Sequence, residues 1–240
     1  MKKVLIFQGG WDGHEPHLTS KRFAKMMEEA GYTAEIYDTQ ECLADAKKLA
    51  EYDLIVACWT SGTIESEYVK NVSYAVANGT GLAGCHGGMC DAFRNSPDWQ
   101  FITGGQWVSH PGGDGVEYTV NIVPSSSPIT AGLSDFVVRS EHYYLHVDPA
   151  IEVLATTQFP NATYYHCSNK PIQMPVAWTK YWGNGRVFYC SLGHHDDVFD
   201  LFPTSAELMK RGMVWAAEGK QYALEHGLTA DRFENNAKNY

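Results

Sequence analysis

The 240-residue chain has no run of 18 apolar residues, so no segment reads as a membrane-spanning helix. Nor has it a Lys/Arg cluster beyond short pairs such as Lys21-Arg22. Its 18 basic residues face 28 acidic ones, for a formal net charge of −10. That balance excludes the basic stripe a nucleic-acid binder needs, and neither nucleic acid nor membrane is expected as a partner. The six cysteines (Cys42, Cys58, Cys85, Cys90, Cys167, Cys190) contain no Cys-x-x-Cys pair and no dense framework, which suits reduced thiols in a cytoplasmic chain. No two of His14, His17, His86, His110, His142, His194 and His195 are spaced His-x-x-x-His, so these candidates write no metal site on a single helix. Gly9, Gly10 and Gly13 do not complete Gly-x-Gly-x-x-Gly, and Trp11 and Asp12 would crowd a pyrophosphate. No bound NAD is expected.

What the chain does have is strand–helix alternation. The run Lys3–Gln8 reads as a buried parallel strand, and it stops too soon at Gln8-Gly9-Gly10 to be the apolar part of a signal peptide. Leu18–Ala30 has helical spacing ended by Gly31. Strands are predicted at Thr33–Tyr37, Asp53–Trp59 and Gly81–Cys85, with helices at Leu43–Leu49 and Glu65–Asn78 between them. Such alternation predicts βαβ units and an α/β three-layer, mostly parallel, flavodoxin-like sheet, with its site at the carboxyl ends of the strands. Residues 99–125 are rich in Gly, Trp and Pro, with one alternating strand at Glu117–Val123; short strands follow at 142–147 and 151–157. Pro175–Trp182 and Arg186–Ser191 flank Gly183-Asn184-Gly185, which predicts an added antiparallel hairpin. A final helix is predicted over 205–218, ended by Gly219. One domain over residues 1–225 and a polar tail over 226–240 are expected.

Ten histidines are present, and most fall where a predicted strand ends. Gly84-Cys85-His86-Gly87-Gly88 has the form of a nucleophile elbow, a turn too tight for side chains on its flanks, with imidazole at the apex instead of Ser or Cys. Imidazole there favours proton transfer or metal ligation. His14 and His17 follow the first strand, with Pro16 between them. His110 lies in Ser109-His110-Pro111-Gly112-Gly113. Glu141-His142 and Gly193-His194-His195-Asp196 complete the set. His86, His194 and at least one of His14, His110 and His142 are expected to face one pocket. Cys85 precedes the apex, so it should be buried and point elsewhere. Trp11, Trp59 and Trp107 sit in glycine-rich loops or at strand ends, where rings stack on the C–H faces of sugars as readily as they fill a core.

These pieces resemble the ThuA-like (trehalose utilization) family of the class I glutamine-amidotransferase-like superfamily. The resemblance is carried by Gly9-Gly10 and His14, Gly81-Leu82-Ala83-Gly84-Cys85-His86-Gly87, Gly104-Gly105-Gln106-Trp107 with Ser109-His110-Pro111, and Ser127-Pro128-Ile129-Thr130-Ala131-Gly132-Leu133. Glu141-His142-Tyr143-Tyr144, Pro175-Val176-Ala177-Trp178, Gly185-Arg186-Val187-Phe188-Tyr189 and Leu192-Gly193-His194 continue it in order over roughly residues 1–218. Amidotransferases of the superfamily carry Cys at the elbow and a His-x-Glu pair after a late strand. By that resemblance His194 and Asp196 stand for the triad's His and acid, while His86 replaces the nucleophile. The resemblance therefore implies sugar metabolism, on a disaccharide or 3-keto sugar, and not glutamine hydrolysis.

The expected protein is thus a cytoplasmic sugar enzyme that takes a small-molecule sugar, with a homo-oligomer open to it. Catalysis is expected from His86, His194, Asp196 and Glu141, with Asp196 or Glu141 orienting an imidazole. Substrate contacts are expected from His14, Trp59, Trp107, His110, His142 and His195. No cofactor is required by the sequence. A divalent metal such as zinc would draw on His86, His110, Glu141, His142 and His194. The alternative is a sugar-binding or regulatory protein without catalysis; a thiol-dependent amidase using Cys85 ranks below both.

Overall fold

The structure is a computed structural model that describes residues 2–163 and 165–233. Thirteen strands and seven α-helices follow one another among these residues: β1 (Lys3–Gly10), α1 (Pro16–Glu29), β2 (Thr33–Tyr37), α2 (Ala46–Leu49), β3 (Leu54–Thr60), α3 (Ser66–Ala77), β4 (Gly81–Cys85), α4 (Gly87–Cys90), α5 (Pro97–Thr103), β5 (Gly105–Ser109), β6 (Val116–Ile122), β7 (Phe136–Ser140), β8 (Tyr144–Val147), β9 (Glu152–Phe159), β10 (Ala162–Thr163), β11 (His166–Cys167), β12 (Ile172–Trp182), β13 (Gly185–Cys190), α6 (Val198–Leu201) and α7 (Pro203–Glu225).

The main sheet has nine strands in the order β2-β1-β3-β4-β13-β12-β9-β6-β7. The first five are parallel, the flavodoxin-like half expected from the apolar runs. Val4–Phe7 are fully buried because helices cover both faces of this half. Phe23 and Met27 of α1 and Leu208, Met209 and Met213 of α7 pack on one face. Leu49, Val69, Val72, Trp99 and Ile102 pack on the other.

The hairpin predicted at Asn184 is present, with Trp182 paired to Gly185. It is built into the sheet rather than appended: β13 is the fifth parallel strand, and β12 begins an antiparallel extension through β9, β6 and β7. A separate two-stranded sheet pairs β5 with β8. The strands β5 and β7 and the helix α5 escape the sequence pattern because they are short and lie among Gly, Pro and Ser. The last helix also runs past its predicted stop. Gly219 lies inside α7 because a Cβ there would come within 2.9 Å of Arg186 Cδ, so this glycine serves a close packing contact. The chain turns instead at Gly227, whose φ is +60°. Of the expected polar tail, Ala230–Phe233 form a 3₁₀ turn tied by Ala230 N–H to Asn78 Oδ1 at 2.9 Å, and residues 234–240 lie outside the described residues.

Candidate metal-capable site

The carboxyl ends of β1, β3, β4 and β13 converge, and each delivers a polar residue. β1 ends at Gly10, whose φ is +81° and whose Cβ position is filled by Thr60 O. No larger residue fits this crossing. Trp11 N–H then bonds Thr60 O at 3.1 Å, and the 3₁₀ turn Asp12–His14 follows. β4 ends in the elbow: His86 has φ +48° and ψ −135°. Gly84 and Gly88 pack against Ala57, Cys58 and Met89. A Cβ on Gly87 would fall 2.4 Å from the His14 ring. The Gly-x-His-x-Gly spacing is therefore met for the reason the sequence suggests, and Gly87 additionally seats His14. Four non-glycine residues have positive φ among the described residues: Glu15, Ser61, His86 and Phe93. All lie at or just beyond these strand ends, where stored strain commonly marks a functional site.

His14, His86, Glu141 and His194 are all buried, and one ligand atom of each lies within 4.8 Å of the others. Glu141 comes from the far end of the sheet, on the loop after β7, with its backbone held by Tyr118 Oη–H donating to Glu141 O at 3.0 Å. Its Oε2 lies 3.1 Å from His86 Nε2, 3.2 Å from His194 Nδ1 and 4.0 Å from His14 Nε2. Its Oε1 lies 2.7 Å from Nδ1 of the half-exposed His110. His86 stacks on Tyr143 at 3.8 Å.

Protonation follows from these contacts. His86 Nδ1 lies 2.7 Å from Ser191 O, and a carbonyl can only accept, so Nδ1 carries the proton. Burial, helped by His194, holds His86 below 6.5 against the pull of Glu141. The ring is neutral, and its bare Nε2 faces a carboxylate. His14 is likewise pushed down to about 2, first by burial and then by His86 and His194. Burial alone would raise Glu141, but the imidazoles of His194, His86 and His110 overcome it and hold the carboxyl below its usual range. The bare Nε2 of His86 thus faces a carboxylate, a contact that a cation between them would relieve. Nδ1 of His194 and Nδ1 of His110 are buried without a partner in hydrogen-bond geometry. Imidazole and carboxylate are the donor set zinc accepts, and the orphaned nitrogen shows that these residues fit such an ion. His14 Nδ1 at 2.9 Å from Thr60 Oγ1 and His86 Nδ1 on Ser191 O orient the two rings, as the outer contacts of metal ligands do.

The expected site residues separate accordingly. His86, His194 and Glu141 meet, and His14 joins them as the third imidazole. His142 does not, which corrects the expected ligand set. Its ring is sandwiched between Tyr118 and Phe159, with Nε2 3.0 Å from Thr157 Oγ1. Held between those rings, His142 takes no part in the group that the adjacent Glu141 joins. His110 reaches the group only through Glu141 Oε1. Asp196 does not orient His194. Both its oxygens take hydrogen bonds from Arg22 at 2.7 Å, so the triad acid suggested by resemblance is spent on a salt bridge. His195 is half-exposed beside Glu15 and Asp114; with Asp114 and His194 it forms a second, more open group. His17 is exposed on α1. Trp59 is half-buried by Gly9 and Gly62, and Trp107 lies under the Arg94 guanidinium at 4.4 Å. Cys85 is buried, and burial pushes its thiol well above 9.0, so the elbow presents no thiolate. Thr60 and Tyr143 were not foreseen; only their places beside the strand-end Trp59 and the Glu141-His142 pair could have hinted at them.

The fold and site together define a flavodoxin-like α/β domain whose strand ends carry a buried three-histidine, one-carboxylate group. The ThuA family model, described as trehalose utilisation, matches residues 3–216, and the chain belongs to that family. Among solved structures, a ThuA-like protein from Bacteroides uniformis ATCC 8492 is similar at 20% identity and TM-score 0.71, covering 90% of this chain and 91% of that one. One from Parabacteroides merdae ATCC 43184 gives 20% and 0.70, with 91% of each chain covered. Cytoplasmic Protein STM1381 from Salmonella typhimurium LT2 gives 12% and 0.60, over 87% of this chain and 97% of that one. At these identities the likeness concerns the fold. No curated protein sequence matches the chain. No helix among the described residues is long and apolar enough to cross a membrane.

Proposed function

We propose that the chain is a divalent-metal enzyme of carbohydrate metabolism, acting beside a carbonyl of a disaccharide or its 3-keto derivative. The observation that supports it best is the convergence of four buried ligand atoms from His14, His86, Glu141 and His194, with the bare Nε2 of His86 against a carboxylate. An ion held there would act as a Lewis acid toward a substrate oxygen.

The other steps belong to the chain's own side chains. His86, buried with one nitrogen on Ser191 O and the other toward Glu141, acts as a ligand rather than as a proton carrier. His110 is the imidazole that both touches the group and meets solvent. Its Nδ1 lies 2.7 Å from Glu141 Oε1, which leaves Nε2 to take up or return a proton next to the substrate carbonyl. Without a thiolate at the elbow, glutamine hydrolysis is not proposed.

Elemental analysis of the purified protein tests this reading, together with zinc titration of the wild type, His86→Ala and Glu141→Gln. Near-stoichiometric zinc in the wild type and its loss in both variants is expected. Full turnover of 3-keto-trehalose by metal-free protein would overturn it.

A further inference from the structure

We infer that Trp11 is the platform on which a pyranose ring of the substrate lies, and that Gly10 and Gly13 exist to hold it in place. This inference rests on reading the site as one that takes a sugar. Three tryptophans stand near the group, but only one offers a face. Trp59 is half-buried against Gly9 and Gly62, and Trp107 is covered by Arg94. Trp11 is 53% exposed although it stands edge-on to His14 at 4.7 Å and 6.5 Å from His194.

A large apolar ring in water carries an unfavourable hydration cost, and a loop tryptophan would ordinarily fold over to reduce it. Here it is pinned. A Cβ on Gly13 would lie 2.3 Å from Cζ2 and 2.4 Å from Cη2, so only glycine lets the ring rest on the backbone. The Trp11 backbone is fixed by its N–H to Thr60 O at 3.1 Å, following the turn that Gly10 makes. The segment Gly10-Trp11-Asp12-Gly13-His14 therefore presents a rigid apolar face and a metal-capable imidazole as one unit. A pyranose has the matching shape, with a C–H face for the ring and equatorial oxygens at its rim. Stacked on Trp11, those oxygens would be directed toward the His14 and His194 side of the group.

The test compares the wild type with Trp11→Ala, Trp11→Tyr and Gly13→Ala, each loaded with zinc. Two quantities are read: bound zinc, and calorimetric affinity for trehalose. The proposal expects wild-type zinc content in all variants. Trehalose affinity should fall about tenfold or more in Trp11→Ala, the loss that truncating a contact aromatic brings, and less in Trp11→Tyr. It should fall in Gly13→Ala as well, where the ring is present but displaced. Unchanged trehalose affinity in Trp11→Ala would overturn the platform and leave the metal reading standing. Loss of zinc in Trp11→Ala would overturn it too, by showing that the ring merely supports His14. A wild type that binds zinc but not trehalose would overturn the platform along with the sugar reading, and one that binds neither would remove both the metal and the sugar.

Discussion

Burying His142 as a neutral ring makes the protein's stability fall with pH in a way one substitution can isolate. The ring lies between Tyr118 at 4.2 Å and Phe159 at 3.9 Å, and burial lowers its pKa from 6.5 to about 4. The unfolded chain therefore takes up this proton at higher pH than the folded protein does. Stability is fully present above pH 6.5 and is lost as pH falls toward 4, below which the loss levels off. The shift of about 2.5 units corresponds to about 3 kcal/mol in full, of which about 2 kcal/mol is lost between about pH 8 and about pH 5. Cation–π attraction from the two flanking rings favours the charged form by about 0.5–1 kcal/mol and leaves an expected loss of about 1–2 kcal/mol. His142→Phe keeps the stack and cannot titrate. It also strands Thr157 Oγ1, a cost that does not depend on pH. Urea unfolding of both proteins in chelator, from about pH 8 down to about pH 5, measures the difference. Every other group is common to both proteins and cancels. The wild type should lose about 1–2 kcal/mol more than His142→Phe over this range. Parallel curves would show that His142 is not the group responsible.

Three further outcomes are expected. Gly87→Ala places a methyl 2.4 Å from the His14 ring and should weaken zinc binding by about 10–100-fold in competition with a chromophoric chelator, while the far-UV spectrum stays wild-type. Thiol labelling of the native protein should modify Cys167 at once and leave Cys58, Cys85, Cys90 and Cys190 unmodified until denaturant is added; rapid modification of Cys85 would contradict its burial. Asp148→Asn leaves the buried Lys180 ammonium with Phe101 O but without its carboxylate and should cost about 3–5 kcal/mol in chemical denaturation, with zinc content unchanged.

The parallel half of the sheet is legible in the order of the residues alone. A strand covered by helices on both faces must be apolar along its covered length, and Val4–Phe7, Leu54–Trp59 and Gly81–Cys85 say so locally. The elbow is legible too, because Gly84 and Gly88 flank His86 at the one spacing the turn tolerates, and so is the Gly183-Asn184-Gly185 turn for the same kind of reason. Which polar side chains share the site is settled by long-range packing. Glu141 reaches His86 across 55 positions of chain because the antiparallel extension returns the loop after β7 to the strand ends, a path no local pattern encodes. Which of Glu141 and His142 turns inward depends on the register of that loop, and the sequence is silent on register where no strand alternation spans it. Asp196 had the right spacing from His194 but met Arg22 of α1 first. A salt bridge between residues 174 positions apart is set by helix packing, not by sequence neighbourhood.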